Sequence, residues 1–191
     1  VYFSELPDGN IGVLISITSN CGITPCSLCY LKIGQNGNIV NQILYNVFIS
    51  FLNADKLPSG DFIIAGIGID PFSLEMSINV TKLYQNGWAG FSKSYSCFSD
   101  TCQPFSVKAT NDGGYIVAGY LYTLNSPSYG SFILKLNSNG DVGWSKKFYK
   151  ENSTSILLDI ENDVNGGFIA IGFTSSYRPY SGEALWVLKI S

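Results

Sequence analysis

Carboxylates are the side chains in this sequence best suited to acid-base chemistry, because the chain contains no histidine. Asp70, Glu75 and Glu183 fall in loops between apolar runs, and glycoside hydrolysis requires two positioned carboxylates. No spacing in the sequence makes these three converge. A serine or cysteine nucleophile would lack its usual histidine base. A carbohydrate-active enzyme is therefore one hypothesis, and the sequence favours a protein that is not an enzyme.

The five cysteines predict local disulfides. Four residues separate Cys21 from Cys26, four also separate Cys97 from Cys102, and both segments are rich in turn-forming residues. Two short disulfides can form at this spacing, which indicates an oxidising compartment. Cys29 lies in an apolar run and is expected to be a buried free thiol, with pairing to Cys21 or Cys26 left open.

No metal or cofactor is expected from the remaining motifs. Cys26 and Cys29 have no second thiol pair at zinc-site spacing, and the aspartates near turns lack the alternating pattern of a calcium loop. Two N-x-S/T motifs make Asn79 and Asn152 candidate glycosylation sites. A glycan on Asn79 requires an exposed flank, because that residue falls within a predicted strand.

The length of 191 residues and the composition indicate a single domain with few charged side chains. Charged residues make up 13% of the chain, the net charge is -3, and the 11 Lys and Arg residues are scattered singly. Nucleic acid is therefore not an expected partner. The longest apolar runs are far shorter than the roughly 20 residues of a membrane helix, so no span is expected. The chain begins at Val1 in a strand pattern, which is compatible with an excised signal or upstream region.

A repeat of about 50 residues organises the whole chain. Its register is marked by Lys32, Lys82, Lys135 and Lys189, which are 50, 53 and 54 residues apart. Each unit consists of short apolar runs without a helical period of 3.6 residues. Periods of this length are typical of propeller blades or of longer solenoid repeats.

Each unit predicts an antiparallel meander of four strands. A glycine turn follows the first strand, and an Asn-Gly pair closes the third strand in three of the units, which are strong hairpin signals. The second strand is the most apolar and should be buried on both sides. It carries an internal glycine that predicts a close backbone approach in three units, at Gly66, Gly119 and Gly172.

The third unit is the clearest copy, with DGGYIVAG over 112–119 and LKLNSNGDVGW over 134–144. This pattern resembles the propeller-type repeats of secreted and cell-surface proteins of bacteria and archaea, over essentially the whole chain. The resemblance implies an all-β propeller and an extracellular or cell-surface location, and it carries no activity. We expect a single domain over 1–191. Its four blades would span about 1–46, 47–98, 103–150 and 154–191, with the last outer strand missing, and part of a longer propeller is the alternative.

The variable loops of such blades open on one face, opposite the glycine hairpins. Tyrosine with acidic residues and arginine on loops over a rigid scaffold is typical of recognition surfaces. The sequence favours an extracellular non-enzymatic module that binds glycan or protein, or assembles, through this face. A structural subunit of a surface layer, filament or virion is an alternative, as is the carbohydrate-active enzyme. The candidate face comprises Asp70, Phe72, Glu75, Tyr122, Tyr129, Tyr177, Arg178, Tyr180 and Glu183.

Overall fold

The structure is a computed structural model that describes residues 1–17, 27–46, 49–69, 73, 75–97, 101–122, 128–176 and 182–191. Within these ranges the chain is all-β, with fifteen strands and no helix. The strands form four antiparallel sheets that follow one another along the chain. We number the sheets one to four in that order.

Each of the first three sheets is a four-stranded meander in which neighbours in sequence are neighbours in space. Sheet one contains β1 (Tyr2–Glu5), β2 (Ile11–Ile17), β3 (Ser27–Ile33) and β4 (Ile39–Asn46). Sheet two contains β5 (Ile49–Lys56), β6 (Phe62–Ile69), β7 (Met76–Leu83) and β8 (Ala89–Ser96). Sheet three contains β9 (Thr101–Ala109), β10 (Tyr115–Tyr122), β11 (Tyr129–Leu136) and β12 (Val142–Phe148).

Sheet four has three strands in the described residues, β13 (Ser155–Asn162), β14 (Phe168–Thr174) and β15 (Ala184–Ile190). The four meanders agree with the predicted strand pattern, including the missing fourth strand of the last unit. The first strands of units two and three differ from the prediction. The sequence pattern predicts these strands over 47–51 and 105–109, whereas β5 continues to Lys56 and β9 starts at Thr101.

The predicted glycine hairpins are present. Gly113 has a φ of 80°, and its amide donates to the Thr110 carbonyl oxygen at 2.9 Å. Gly140, in the Asn-Gly pair of the same sheet, has a φ of 79° and donates to the Asn137 carbonyl oxygen at 3.0 Å. Positive φ costs glycine little because it has no Cβ, so the sequence fixes both turns locally.

The lysines that mark the repeat each pair with an aspartate in the turn after the first strand of the same sheet. The nitrogen-to-oxygen distances range from 2.5 to 3.7 Å. Hydrogen bonds from Thr110 and Lys135 hold the pKa of Asp112 at about 2. The pairs tie the start of strand two to the end of strand three in all four sheets: Lys32–Asp8, Lys82–Asp61, Lys135–Asp112 and Lys189–Asp163.

Apolar packing between consecutive sheets forms the core. Each of three clusters joins one sheet to the next, and strand two is buried on both faces in the middle sheets, as predicted. In sheet four, by contrast, β14 is exposed on one face. Representative members of the clusters, in chain order, are Leu14, Tyr30 and Phe62; Ile63, Val80 and Val117; and Ile116, Ile133 and Leu157.

The first strand of each sheet contacts the first strand of the next, so β1, β5, β9 and β13 lie side by side. We call these the inner strands. The interior glycines of strand two lie against them, as predicted. A Cβ on Gly119 would overlap the Gln103 carbonyl oxygen, and one on Gly172 would overlap the Ile156 carbonyl oxygen.

We predict that Gly119→Ala destabilises the protein by about 1–3 kcal/mol, because the added methyl group must displace the backbone of β9. Chemical denaturation monitored by tryptophan fluorescence measures this change. Gly143→Ala is the matched control. A Cβ there meets only the Lys135 carbonyl oxygen at 3.5 Å, an ordinary contact. Equal stability of the two variants would contradict the close approach.

A second prediction concerns acid. Asp112 has a folded pKa of about 2, below its ordinary value of 3.8, so its contribution to stability is present above about pH 4 and is lost as the pH falls towards 2. The free energy of unfolding of Asp112→Asn should therefore depend less on pH in this window than that of the parent. Urea unfolding at a series of pH values tests this. Glu151→Gln, an exposed change in the connection before β13, is the control, and parallel curves for Asp112→Asn and the parent would contradict the prediction.

Candidate functional site

The loop face is only partly within the described residues. Glu75 and Glu183 are exposed there, Tyr122 is half-buried and Tyr129 is 37% exposed. Of these four, the structure brings together Tyr122 and Tyr129, whose ring centroids are 5.0 Å apart. The other predicted members lie outside the described residues: Asp70, Phe72, Tyr177, Arg178 and Tyr180.

Tyr122 and Tyr129 belong to a line of four rings, the aromatic row, which also includes Phe105 and Tyr120. Successive centroids lie 5.4 Å apart from Phe105 to Tyr120, 5.8 Å from Tyr120 to Tyr129, and 5.0 Å from Tyr129 to Tyr122. The Tyr120 hydroxyl donates to the Gln103 side-chain oxygen at 2.8 Å, and burial raises the pKa of Tyr120. The row therefore runs from an inner strand to the exposed end of sheet three.

A second group of polar side chains lies on the inner strands. We call Asp55, Lys108, Asp159 and Glu161 the inner-strand cluster. Lys108 on β9 forms an ion pair with Glu161 on β13. Partial burial acts to lower the pKa of Lys108, but the hydrogen bond and charge of Glu161 and the charges of Asp159 and Asp55 raise it overall. One carboxylate thus pairs with the ammonium group, and the charges of two others, on β5 and β13, also act on it.

Two of these carboxylates are fixed by hydrogen bonds. Asp159 accepts from the Ser106 hydroxyl at 2.6 Å and from its neighbour's amide, that of Ile160, at 2.9 Å. Ser106 is only 1% exposed, so its hydroxyl is held in place. Asp55 accepts from the Ala109 amide at 3.0 Å, which connects β5 to β9. These hydrogen bonds fix the carboxylates of Asp159 and Asp55, both of which lie on strands and not on loops.

The sequence carried a signal for this cluster that its motifs did not reveal. In each unit a polar residue lies five positions before the glycine of the turn that follows the first strand. These residues are Ser4, Asp55, Lys108 and Glu161. A polar residue recurs at this position of an inner strand, where adjacent units bring it together. The motifs point to acids in loops instead, and the predicted first strand of unit two ends before Asp55.

The cluster is suited to proton transfer and to stabilising charge rather than to metal binding. In the parts of the chain that the structure describes, no group of three Cys, Asp or Glu side chains could hold a metal ion. The carboxylates surround Lys108 instead of converging on one point. In a chain without histidine, such carboxyl groups are natural candidates for general acid and base.

One of the two predicted disulfides is present, between Cys97 and Cys102. The bond connects the end of β8 to β9, and both cysteines are buried. Cys29 is a buried free thiol in β3, as expected. Cys21 and Cys26 lie outside the described residues.

The two glycosylation motifs differ in accessibility. Asn79 is 8% exposed, and its side-chain oxygen accepts from the Thr81 hydroxyl at 3.0 Å. The folded sheet therefore lacks the exposed flank that a glycan on Asn79 would need, which corrects that candidate. Asn152 is exposed in the connection before β13 with a φ of 54°, and its glycosylation stays a prediction.

Comparison with solved structures found chains that resemble this one. No protein-family model and no curated protein matches the chain. A solved structure that resembles it is an endo-arabinase from Bacteroides thetaiotaomicron, with 11% identity, a TM-score of 0.47, and an alignment over 99% of this chain and 73% of that one. This likeness assigns neither activity nor substrate. The similar chain is named as an enzyme, whereas the sequence favoured a module that is not an enzyme; that interpretation is corrected here and is not carried further.

The described residues also include no helix with the length and apolar character needed to cross a membrane.

We predict that Lys108→Met lowers the free energy of unfolding by about 1 kcal/mol at pH 7, because the carboxylates around it lose their counter-charge. Since the pKa of Lys108 is raised, its contribution in the parent persists until the pH rises past the ordinary range of lysine.

Urea unfolding of parent and variant across this pH range provides the measurement. Lys93→Met is the matched control, because Lys93 pairs with Asp141 at 2.7 Å and both side chains are more exposed. We expect the control to lose less stability, because solvent screens an exposed pair. A loss in Lys108→Met that is no larger, or that does not vary with pH, would argue against the cluster.

Proposed function

We propose that this chain is a secreted propeller-type enzyme that hydrolyses glycosidic bonds at the inner-strand cluster. The observation that carries the proposal is the placement of Asp55, Asp159 and Glu161 around Lys108, on strands from neighbouring sheets. Hydrolysis of a glycosidic bond needs a proton donor and a second carboxylate that acts as nucleophile or base. The chain has no histidine, so carboxyl groups are its natural means of acid-base catalysis.

Within the cluster we assign two roles. Asp159 is the fixed carboxylate that faces the positive charge developing on the sugar, because two donors hold one of its oxygens. Glu161 is the proton donor. Its side chain is 56% exposed, so a bound sugar can separate it from Lys108, and a carboxyl group that no longer faces the ammonium can hold a proton. Lys108 keeps the two acids in position and offsets their mutual repulsion.

The aromatic row supports a carbohydrate as the substrate class. Tyrosine presents a flat apolar face with a polar hydroxyl at its edge, which suits sugar rings that have both apolar and hydroxyl-bearing surfaces. Tyr122 and Tyr129 reach the solvent-accessible end of this row. Its other end is Phe105 on β9, the strand that also carries Lys108.

The rest of the proposal concerns architecture and location. The four meanders support a propeller of four repeat units in this chain, of the kind found in secreted and cell-surface proteins. The Cys97–Cys102 disulfide supports an oxidising, extracellular compartment. Asn152 is the glycosylation site that such a compartment would allow.

The test is release of reducing sugar from a panel of linear and branched polysaccharides. Asp159→Asn and Glu161→Gln should each lower turnover by about 10²–10⁴-fold, the range expected for loss of an acid or base. Glu151→Gln, exposed in the connection before β13, is the control and should keep full turnover. Circular dichroism should show that all three variants keep the parental fold.

Two results would overturn the proposal. One is the absence of turnover by the parent on every polysaccharide of the panel. The other is turnover that survives both cluster substitutions but is lost in Glu75→Gln or Glu183→Gln, which would move the chemistry to the loop face.

A further inference from the structure

The outer faces of the first and last sheets are apolar and exposed. On sheet four, Ile169, Ile171, Leu185 and Val187 point away from sheet three, and Leu185 and Val187 are 81% and 58% exposed. We call these four residues the open face of sheet four. An apolar sheet face of this kind normally marks an interaction surface.

Sheet one has a matching surface on its side away from sheet two. The register of β1, β2 and β3 places Phe3, Val13 and Leu31 in one row, with Ile11 on the same face. Phe3 is 72% exposed and Ile11 is 42% exposed. We call these residues the open face of sheet one.

The repeat identifies what each open face is built to contact. Ile169 aligns with Ile63 and Ile116, since each is paired across the sheet with the lysine that marks its unit. Ile63 and Ile116 are fully buried against the following sheet, whereas Ile169 is 38% exposed. The open face of sheet four is thus the surface that elsewhere in the chain packs on the next sheet.

The open face of sheet one is the opposite half of the same interface. Val13 aligns with Val117, and Leu31 aligns with Leu134, by the same pairing rule. Val117 and Leu134 are buried in the cluster that packs on the preceding sheet. Sheets one and four therefore carry two unlike surfaces, each of which repeats one side of an interface already made inside the chain.

We propose that the open face of sheet four packs on the open face of sheet one of a second copy, and that two copies close into one ring of eight sheets. The contact continues the internal packing, with an aliphatic face covering an aliphatic and aromatic face. Propeller rings commonly contain four to eight sheets, so two chains of four lie within that range. Two-fold symmetry makes both junctions identical and covers the open faces of sheets one and four in both copies. This inference is independent of the proposed hydrolysis.

Sedimentation velocity of the 191-residue chain over a wide concentration range tests the proposal. The parent should sediment as a dimer. Leu185→Asp on sheet four and Phe3→Asp on sheet one should each raise the dissociation constant by at least about 100-fold, because every closed ring would bury two unpaired carboxylates. Val164→Asp, at a residue 95% exposed in the turn before β14, should leave the dimer unchanged.

Mixing the two variants gives a sharper readout. A ring can form from one copy of Leu185→Asp and one copy of Phe3→Asp. One of its two junctions then carries both substitutions, and the other junction carries none. The mixture should therefore associate at concentrations where neither variant does alone. Dimerisation of the parent together with recovery in the mixture supports the proposal. A monomeric parent, open polymers longer than two chains, a dimer that survives either substitution, or a mixture that stays monomeric would each overturn it. Circular dichroism checks that both variants are folded.

Discussion

The packing of one apolar sheet face on the next is the interaction on which this structure depends. A sheet whose second strand is apolar on both sides cannot be stable in water without a neighbour on each side. Ile63 and Ile116 are buried by the sheet that follows their own, whereas Ile169, at the same position of the repeat, is partly exposed. Within the chain, this one interface is made three times.

Stacking of this kind determines where polar groups can lie. The inner strands approach one another closely, which leaves little room behind strand two. Because glycine has no Cβ, Gly119 allows β10 to approach β9 closely, and Gly172 allows β14 to approach β13. The polar residues of the inner strands then meet across sheets, and Lys108 contacts Glu161 from a position 53 residues away. The inner-strand cluster is thus a product of the packing, because its four members come from three different units.

Much of the fold could be predicted because its signals are local or periodic. The marker lysines gave the period, and the structure explains their recurrence through pairs such as Lys135–Asp112. The glycine hairpins and the Cys97–Cys102 disulfide could be predicted because each is specified by a few adjacent residues. The inner-strand cluster was missed because its members lie in different units, and no local pattern states which of them face each other. The closure of the ring was not predictable for a related reason. The alternation of a strand shows that a face is apolar, but not whether this chain or another one covers it.

The site and the open faces meet at β13. This strand supplies Asp159 and Glu161, and it is the inner strand of the sheet whose other face is open. On the side of sheet three, β13 is held by the ion pair with Lys108 and the hydrogen bond from Ser106, while on the other side of its sheet Ile171 and Val187 are exposed. A neighbour packed on that face would restrict the motion of sheet four and, with it, the positions of both carboxylates. Catalytic groups need fixed geometry to be effective. Covering the open face and ordering the acids are therefore linked through a single strand.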